Sequence, residues 1–198
     1  MELRTKRGGG VASPPFLSRH AGAALVCGSA WCLADDLARA RALYPDASVI
    51  AVNGAAALVE AIALYSKHPE RFQSWGWIAS QSTRHAVGRR KLPDGFTVHG
   101  SQAQDGMPWV DHWWPDARGG GGSAWGARKL AWLMGFDPVI LCGCPLTPGN
   151  YAAHKPGVLM TQQAVIDQFR RQIEAEPEWH QGVTSMSGWT REFFGAPC

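Results

Sequence analysis

The sequence predicts an α/β fold in which helices on both faces cover a doubly wound, mainly parallel β-sheet. Continuous apolar runs at 23–27, 48–52 and 138–142 are typical of parallel strands that are buried on both faces. Segments with apolar residues at helical spacing lie between such runs, so strands and helices alternate along the chain. The 198 residues suit one domain, which we place at 21–198, after a flexible tail at 1–20.

The first predicted unit is a strand, a helix and a second strand within about 30 residues. The strand at 23–27 runs into Gly28, and the strand at 48–52 runs into Asn53. Between them, apolar residues recur at helical spacing at Leu33, Leu37, Ala40 and Tyr44. Acidic residues near the start of this helix and basic residues near its end suit the helix dipole. A unit of this length favours parallel pairing of its two strands.

Shorter patterns predict the remaining elements. Further strands are predicted at 61–66, 96–99 and 182–186, and further helices at 70–82, 123–134, around 165–173 and from 188 onwards. The segment 101–122 is polar and rich in Gly and Trp, which indicates a long functional loop. Within it, Trp109, Trp113 and Trp114 either stack on a bound ring or pin the loop onto the core.

Composition narrows the possible partners. The chain has 19 basic and 16 acidic residues, and a net charge of +3 argues against nucleic acid as the partner. No apolar run approaches the roughly 20 residues of a membrane-spanning helix. Five cysteines without a CxxC pair indicate reduced core thiols, and therefore a cytoplasmic protein. We expect no tight metal site, because neither HExxH nor a Cys/His cluster is present.

Small and polar residues follow the predicted strands at the edge where parallel folds bind ligands. A tight turn explains any one of these strand ends, but the six together favour a small-molecule site. They are Gly28-Ser29-Ala30, Asn53-Gly54, Ser66-Lys67-His68, His99-Gly100-Ser101, Gly143-Cys144-Pro145 and Ser187-Gly188. A GxGxxG motif is absent, which argues against an NAD site. The glycine run at 119–122 lacks the Gly-Lys-Ser/Thr ending of a P-loop, so it is either an anion cradle or a hinge.

Histidines at strand ends and in long loops are the candidate general acids and bases. The three that we consider catalytic candidates are His154, His68 and His112. An exposed histidine without a role remains the alternative for each of them.

Four segments together resemble a known group of proteins. They are ALVCGSAWCLADDL, VIAVNGA, GGGGSAWGARKLAWLMGFDPVILCGCPL and VTSMSGW, in that order. The set is similar to the Rossmann-like group that includes 6-hydroxymethylpterin pyrophosphokinase-like proteins and the family 42 sialyltransferases. Similar small proteins also occur in bacteriophage genomes, so the resemblance implies that a phage could encode this chain.

The resemblance implies positions for the site. It assigns nucleotide contacts to Gly28, Ser29, Asn53, Gly122 and Ser123, with Gly143 at the end of the best-matched strand. It also places His154 roughly where the sialyltransferases carry a catalytic histidine. The expected ligand is therefore a nucleotide or a nucleotide-sugar donor.

Three functions follow as expectations. The first is a nucleotide-sugar transferase of the glycosyltransferase kind. The second is a non-catalytic nucleotide-binding or phage-associated module, which fits the replacement of the group's carboxylate after Gly143 by Cys144-Pro145. The third is diphosphate transfer of the pterin pyrophosphokinase kind, which would need acidic residues to hold Mg²⁺.

Overall fold

The computed structural model describes residues 4–5, 20–69, 86–87, 90–91, 96–101, 110–114, 120–149 and 163–198. Its strands and helices are, in chain order, β1 (Arg4–Thr5), β2 (Ala24–Cys27), α1 (Leu33–Leu43), β3 (Ser48–Val52), β4 (Ala63–Ser66), β5 (Ala86–Val87), β6 (Arg90–Lys91), β7 (Thr97–Gly100), β8 (His112–Trp113), α2 (Gly122–Leu133), β9 (Val139–Cys142), α3 (Gln163–Glu174), β10 (Val183–Ser185) and α4 (Gly188–Phe194). Short 3-10 helices cover Asn53–Ala57 and Pro177–Trp179.

One eight-stranded sheet has the order β1-β8-β7-β4-β3-β2-β9-β10. Seven of its strands are parallel, and β1 is antiparallel to β8 at one edge. The three strands with continuous apolar runs, β3, β2 and β9, are neighbours at its centre. The mainly parallel α/β fold predicted from the sequence is therefore confirmed.

The two faces of the sheet carry separate hydrophobic cores. Alternate residues of β2 divide between them: Leu25 and Cys27 pack on the face that α1 covers, whereas Ala24 and Val26 pack on the face that α2 covers. All four side chains are fully buried. This two-sided burial explains why the central strands are apolar without alternation, and it confirms helices on both faces.

The order of the strands reverses beside β2. Successive parallel strands β3, β4, β7 and β8 lie on one side of it, and the chain then returns to place β9 and β10 on the other side. In open α/β sheets a crevice forms outside the carboxyl ends of the strands at such a reversal. The ends of β2 and β9, at Gly28 and Gly143, therefore border the expected ligand site.

Some elements differ from the sequence-based expectation. The segment 101–122, predicted as a loop, contains β8, and Arg4–Thr5 of the predicted tail form β1 beside it. Each of these strands has two residues, and β1 forms the edge of the sheet; strands this short are held by backbone pairing and leave no side-chain pattern to recognise. The predicted helix at 70–82 lies outside the described residues. Among the helices in the described ranges, none has the length and hydrophobicity to cross a membrane.

Candidate functional site

A cleft opens at the carboxyl ends of β2, β3 and β9, beside the start of α2. It encloses about 620 Å³ of empty space, its open mouth included. Most of its walls are apolar, with a few polar groups among them, as in many small-molecule sites. Its lining residues are Gly28, Ser29, Ala30, Val52, Asn53, Gly121, Ser123, Ala124, Trp125, Leu141, Gly143, Cys144, Pro145, Leu146, Ile173 and Thr190.

Five of the six residues predicted to contact a nucleotide line this one cleft. They are Gly28, Ser29, Asn53, Ser123 and Gly143, which come from three strand ends and one helix start. The sixth, Gly122, is the first residue of α2 and lies between the lining residues Gly121 and Ser123. The topology thus brings together positions that are up to 115 residues apart in sequence (143 minus 28).

The backbones of Gly28 and Gly143 meet at the floor of the cleft. A Cβ atom on Gly28 would lie 2.5 Å from the carbonyl oxygen of Gly143, and one on Gly143 would lie 2.5 Å from that of Gly28. The Gly143 carbonyl accepts the N–H of Ala30 at 3.1 Å. Close backbone packing between β2 and β9 is therefore enough to require glycine at both positions.

Asp36, in the first turns of α1, is a buried carboxylate beneath this floor. Its Oδ2 accepts the backbone N–H of Gly143 at 2.9 Å and the hydroxyl of Ser187 at 2.6 Å. Its Oδ1 accepts from the guanidinium of Arg39 at 2.7 Å. Asp36 thus joins α1 to the ends of β9 and β10. One signal could have found it: three residues after Leu33 and four before Ala40, it falls on the apolar stripe of α1.

Side chains from neighbouring elements position the start of α2. The Nζ of Lys67 donates to the carbonyl of Gly120 at 2.9 Å, and the backbone N–H of Lys67 donates to the Ser123 hydroxyl at 3.4 Å. The Gln172 side chain accepts the N–H of Gly121 at 2.8 Å. Gly121 has a φ of 73°, in the left-handed region that favours glycine.

Neither α1 nor α2 has a side-chain hydrogen bond at its N-cap, which is Cys32 in α1 and Gly121 in α2. The first N–H groups of a helix have no partner within the helix, and the helix dipole makes that end electropositive. Of the two helices, α2 begins at the cleft, with Ser123 and Ala124 in its lining and no acidic residue in its first turn, whereas the first turn of α1 carries Asp35 and Asp36, which already complement its dipole. This arrangement favours an anionic ligand.

Asn53 follows β3 and occupies the left-handed region, with a φ of 49°. Asn tolerates this conformation better than most residues. Its side-chain oxygen is buried and has no hydrogen-bond partner among the described residues. Buried polar atoms are normally paired. An O–H or N–H group of a ligand in the cleft would satisfy this oxygen.

Cys144 is the one titratable side chain among the described lining residues. Burial raises the pKa of this thiol well above its ordinary value. Nearby, burial also raises the pKa of Cys32 to about 11. Both thiols are therefore protonated near neutral pH, which makes them poor nucleophiles.

The three candidate catalytic histidines do not gather at the described walls of the cleft. His154 lies outside the described residues. His68 is exposed just after β4, where its backbone N–H donates to Ser66. His112 lies on β8, four strand positions from β2 and so roughly 19 Å away across the sheet.

Two of the three tryptophans predicted in the long loop pack on the core, Trp114 fully buried and Trp113 partly buried. Trp114 is buried in the core beneath α2, and Trp113 packs against the core on the other face. At these two positions the aromatic side chains therefore attach the segment to the core, which is the second of the two roles considered above. Trp109 lies outside the described residues.

No group of three or more His, Cys, Asp or Glu side chains is arranged to hold a metal ion within the described ranges. Comparison of the chain with protein-family models, with curated proteins and with solved structures gives no match.

Proposed function

We propose that the cleft binds a nucleotide or a nucleotide-sugar, and that the chain is a transferase of the glycosyltransferase kind. One observation carries the proposal: the start of α2, which has no side-chain hydrogen bond at its N-cap and no acidic residue in its first turn, borders the cleft at the point where the strand order reverses. Phosphate groups bind at such helix ends, and α/β sheets bind ligands at such reversals.

The ligand's phosphate would lie against the hydroxyl groups of Ser29 and Ser123 and the backbone N–H groups beside them. The side-chain oxygen of Asn53 would accept a hydroxyl or amino group of the nucleoside, which gives this buried atom the partner that it lacks. The apolar walls, among them Val52 and Leu141, would exclude water from the bound molecule.

Group transfer would need a general acid or base that the described walls do not supply. On the resemblance in sequence, His154 is the candidate for this role, and His68 and His112 are the alternatives. Replacement of His154 by Ala should then lower the rate of transfer by about 10²–10⁴-fold and leave nucleotide affinity nearly unchanged.

The second candidate function is a non-catalytic nucleotide-binding module, with or without a role in a phage particle. The observation that favours it is the chemistry of the described walls, where the one titratable group is Cys144, a thiol with a strongly raised pKa. In either case four buried free thiols suit a reducing compartment such as the cytoplasm.

A thermal-unfolding screen tests the proposal. The panel contains nucleoside mono-, di- and triphosphates and nucleotide-sugars, each with and without Mg²⁺. A ligand present at 100 times its Kd stabilises the folded state by about 2.7 kcal/mol, which raises Tm measurably. A positive ligand is then assayed for turnover, which separates the transferase from the binding module. Failure of every nucleotide to raise Tm would refute both.

A further inference from the structure

Trp31 lies next to residues that line the cleft, although it is not itself one of them. It directly follows the lining residue Ala30, in the loop that leads from β2 into α1. Although tryptophan is usually well buried, 55% of this residue is exposed. A large aromatic surface therefore stands in water beside the cleft.

The loop after β9 holds this ring in place. A Cβ atom on Gly149 would lie 2.3 Å from both Cδ1 and Nε1 of the Trp31 indole, so the ring lies directly against the Gly149 backbone and a larger residue there would have to displace it. Pro145 and Leu146, earlier in the same loop, line the cleft. Trp31 thus connects the loop before α1 with the loop after β9, and its ring rests on Gly149 although more than half of the residue is exposed.

A flat, exposed and positioned aromatic ring beside a pocket is the arrangement that stacks on nucleobases. A nucleotide combines an anionic phosphate, which suits the start of α2, with a planar base, which suits an exposed aromatic ring near the cleft. We infer that Trp31 stacks on the base of the bound nucleotide. This inference rests on the proposed function and adds a requirement for a base, which a simple sugar phosphate lacks.

The experiment compares ligands that differ in the base alone. AMP, GMP, CMP and UMP are titrated into the wild-type chain by calorimetry, with ribose 5-phosphate as the ligand without a base. The variants are Trp31→Ala, Trp31→Phe, and Gly149→Ala, which displaces the ring without removing it. Trp132→Ala is the matched control, because Trp132 is also exposed (46%) but lies ten residues along α2, about 15 Å from its start.

We expect Trp31→Ala to weaken the best-bound monophosphate by about 10-fold or more, since stacking on one base contributes roughly that factor. Affinity for ribose 5-phosphate should change less than about twofold. Gly149→Ala should also weaken the monophosphate, whereas Trp31→Phe and Trp132→Ala should bind it nearly as the wild type does. Binding should also quench the tryptophan fluorescence of Trp31, which is the fluorescence that the wild type has and Trp31→Phe lacks.

Other results overturn the inference in distinct ways. If the wild type binds a monophosphate and Trp31→Ala binds it equally well, Trp31 does not stack, and the proposed function stands. If Trp31→Ala weakens the monophosphate and ribose 5-phosphate equally, Trp31 only shapes the loops. If the wild type binds neither these monophosphates nor any nucleotide or nucleotide-sugar of the thermal screen, the proposed function fails and the inference fails with it. Thermal unfolding of each variant confirms that it is folded.

Discussion

The carboxylate of Asp36 accepts the backbone N–H of Gly143 at 2.9 Å, although the two residues are 107 positions apart. Asp36 is fully buried, and its second oxygen pairs with Arg39, whose side chain is half exposed. Charge-assisted hydrogen bonds of this kind are about twice as strong as neutral ones. A single carboxylate on α1 therefore fixes the end of β9, and with it the floor of the cleft.

Replacement of Asp36 by Asn should destabilise the fold. The amide keeps the size of the carboxylate but loses its charge, and its NH₂ group would face the N–H of Gly143 or the guanidinium of Arg39. We expect the free energy of unfolding to fall by about 2–3 kcal/mol, measured by urea denaturation. Asp35→Asn, an exposed neighbour, should stay within about 0.5 kcal/mol of the wild type. Equal stability of the two variants would contradict the role of Asp36.

Replacement of Gly28 by Ala tests the close contact between β2 and β9. The new Cβ would lie 2.5 Å from the Gly143 carbonyl oxygen and 2.6 Å from the Cys144 sulfur. Crowding of this kind costs about 1–3 kcal/mol, which should appear as a lower urea midpoint. Ser29→Ala, the next residue along the chain, adds no atom and should leave the midpoint nearly unchanged. If Gly28→Ala is as stable as Ser29→Ala, the two strand ends are not in contact as described.

The stacked rings of His99, which is buried, and His112, which is half-buried, should make stability depend on pH. The Nδ1 of His99 accepts the indole N–H of Trp114 at 2.8 Å, so this nitrogen carries no proton, and Nε2 lies 2.7 Å from the Thr97 hydroxyl. Burial lowers the pKa of His99 well below its ordinary value, and the neighbouring His112 lowers it further. Burial also lowers the pKa of His112, against the opposing effect of Asp111.

Because both pKa values are lower in the folded state, the unfolded chain binds more protons as pH falls below about 6.5. Stability is therefore complete above that pH and is lost on acidification, by up to about 1.4 kcal/mol per pH unit for each histidine. Urea titrations at pH 7.5, 6.5 and 5.5 measure the slope. The variant His112→Asn should show a shallower slope between pH 6.5 and 5.5. If the unfolding free energy of the wild type does not change with pH in this range, the lowered pKa values of His99 and His112 are contradicted.

The centre of the fold was predictable from sequence because a strand that is buried on both faces is a continuous apolar run of residues. The apolar runs of β2, β3 and β9 and the helical spacing in α1 lie within a few residues each. The order of the strands cannot be recognised in this way, because it depends on the side of β2 on which the chain places each later strand. This is why His112, on a strand far from β2, was grouped with residues that line the cleft.

The candidate site was predictable in part for the same reason. Gly28, Asn53 and Gly143 follow recognisable strands, and the carboxyl ends of parallel strands share one edge of the sheet. The positions of Asp36 and Trp31 depend on contacts with Gly143 and Gly149, more than 100 residues away in sequence. Local patterns carry no information about such contacts.

The central claim is that a nucleotide's phosphate lies at the start of α2. Calorimetric titration of the variant Ser123→Glu with the best ligand of the thermal screen tests it most directly. An added carboxylate in the first turn suits the helix dipole, so Tm should be unchanged or higher, but the charge occupies the place of the phosphate. Ala38→Glu adds the same charge on the exposed side of α1, and Ser123→Gln adds similar bulk without charge. We predict at least a tenfold loss of affinity for Ser123→Glu, a smaller loss for Ser123→Gln and none for Ala38→Glu. Wild-type affinity in Ser123→Glu would contradict the claim.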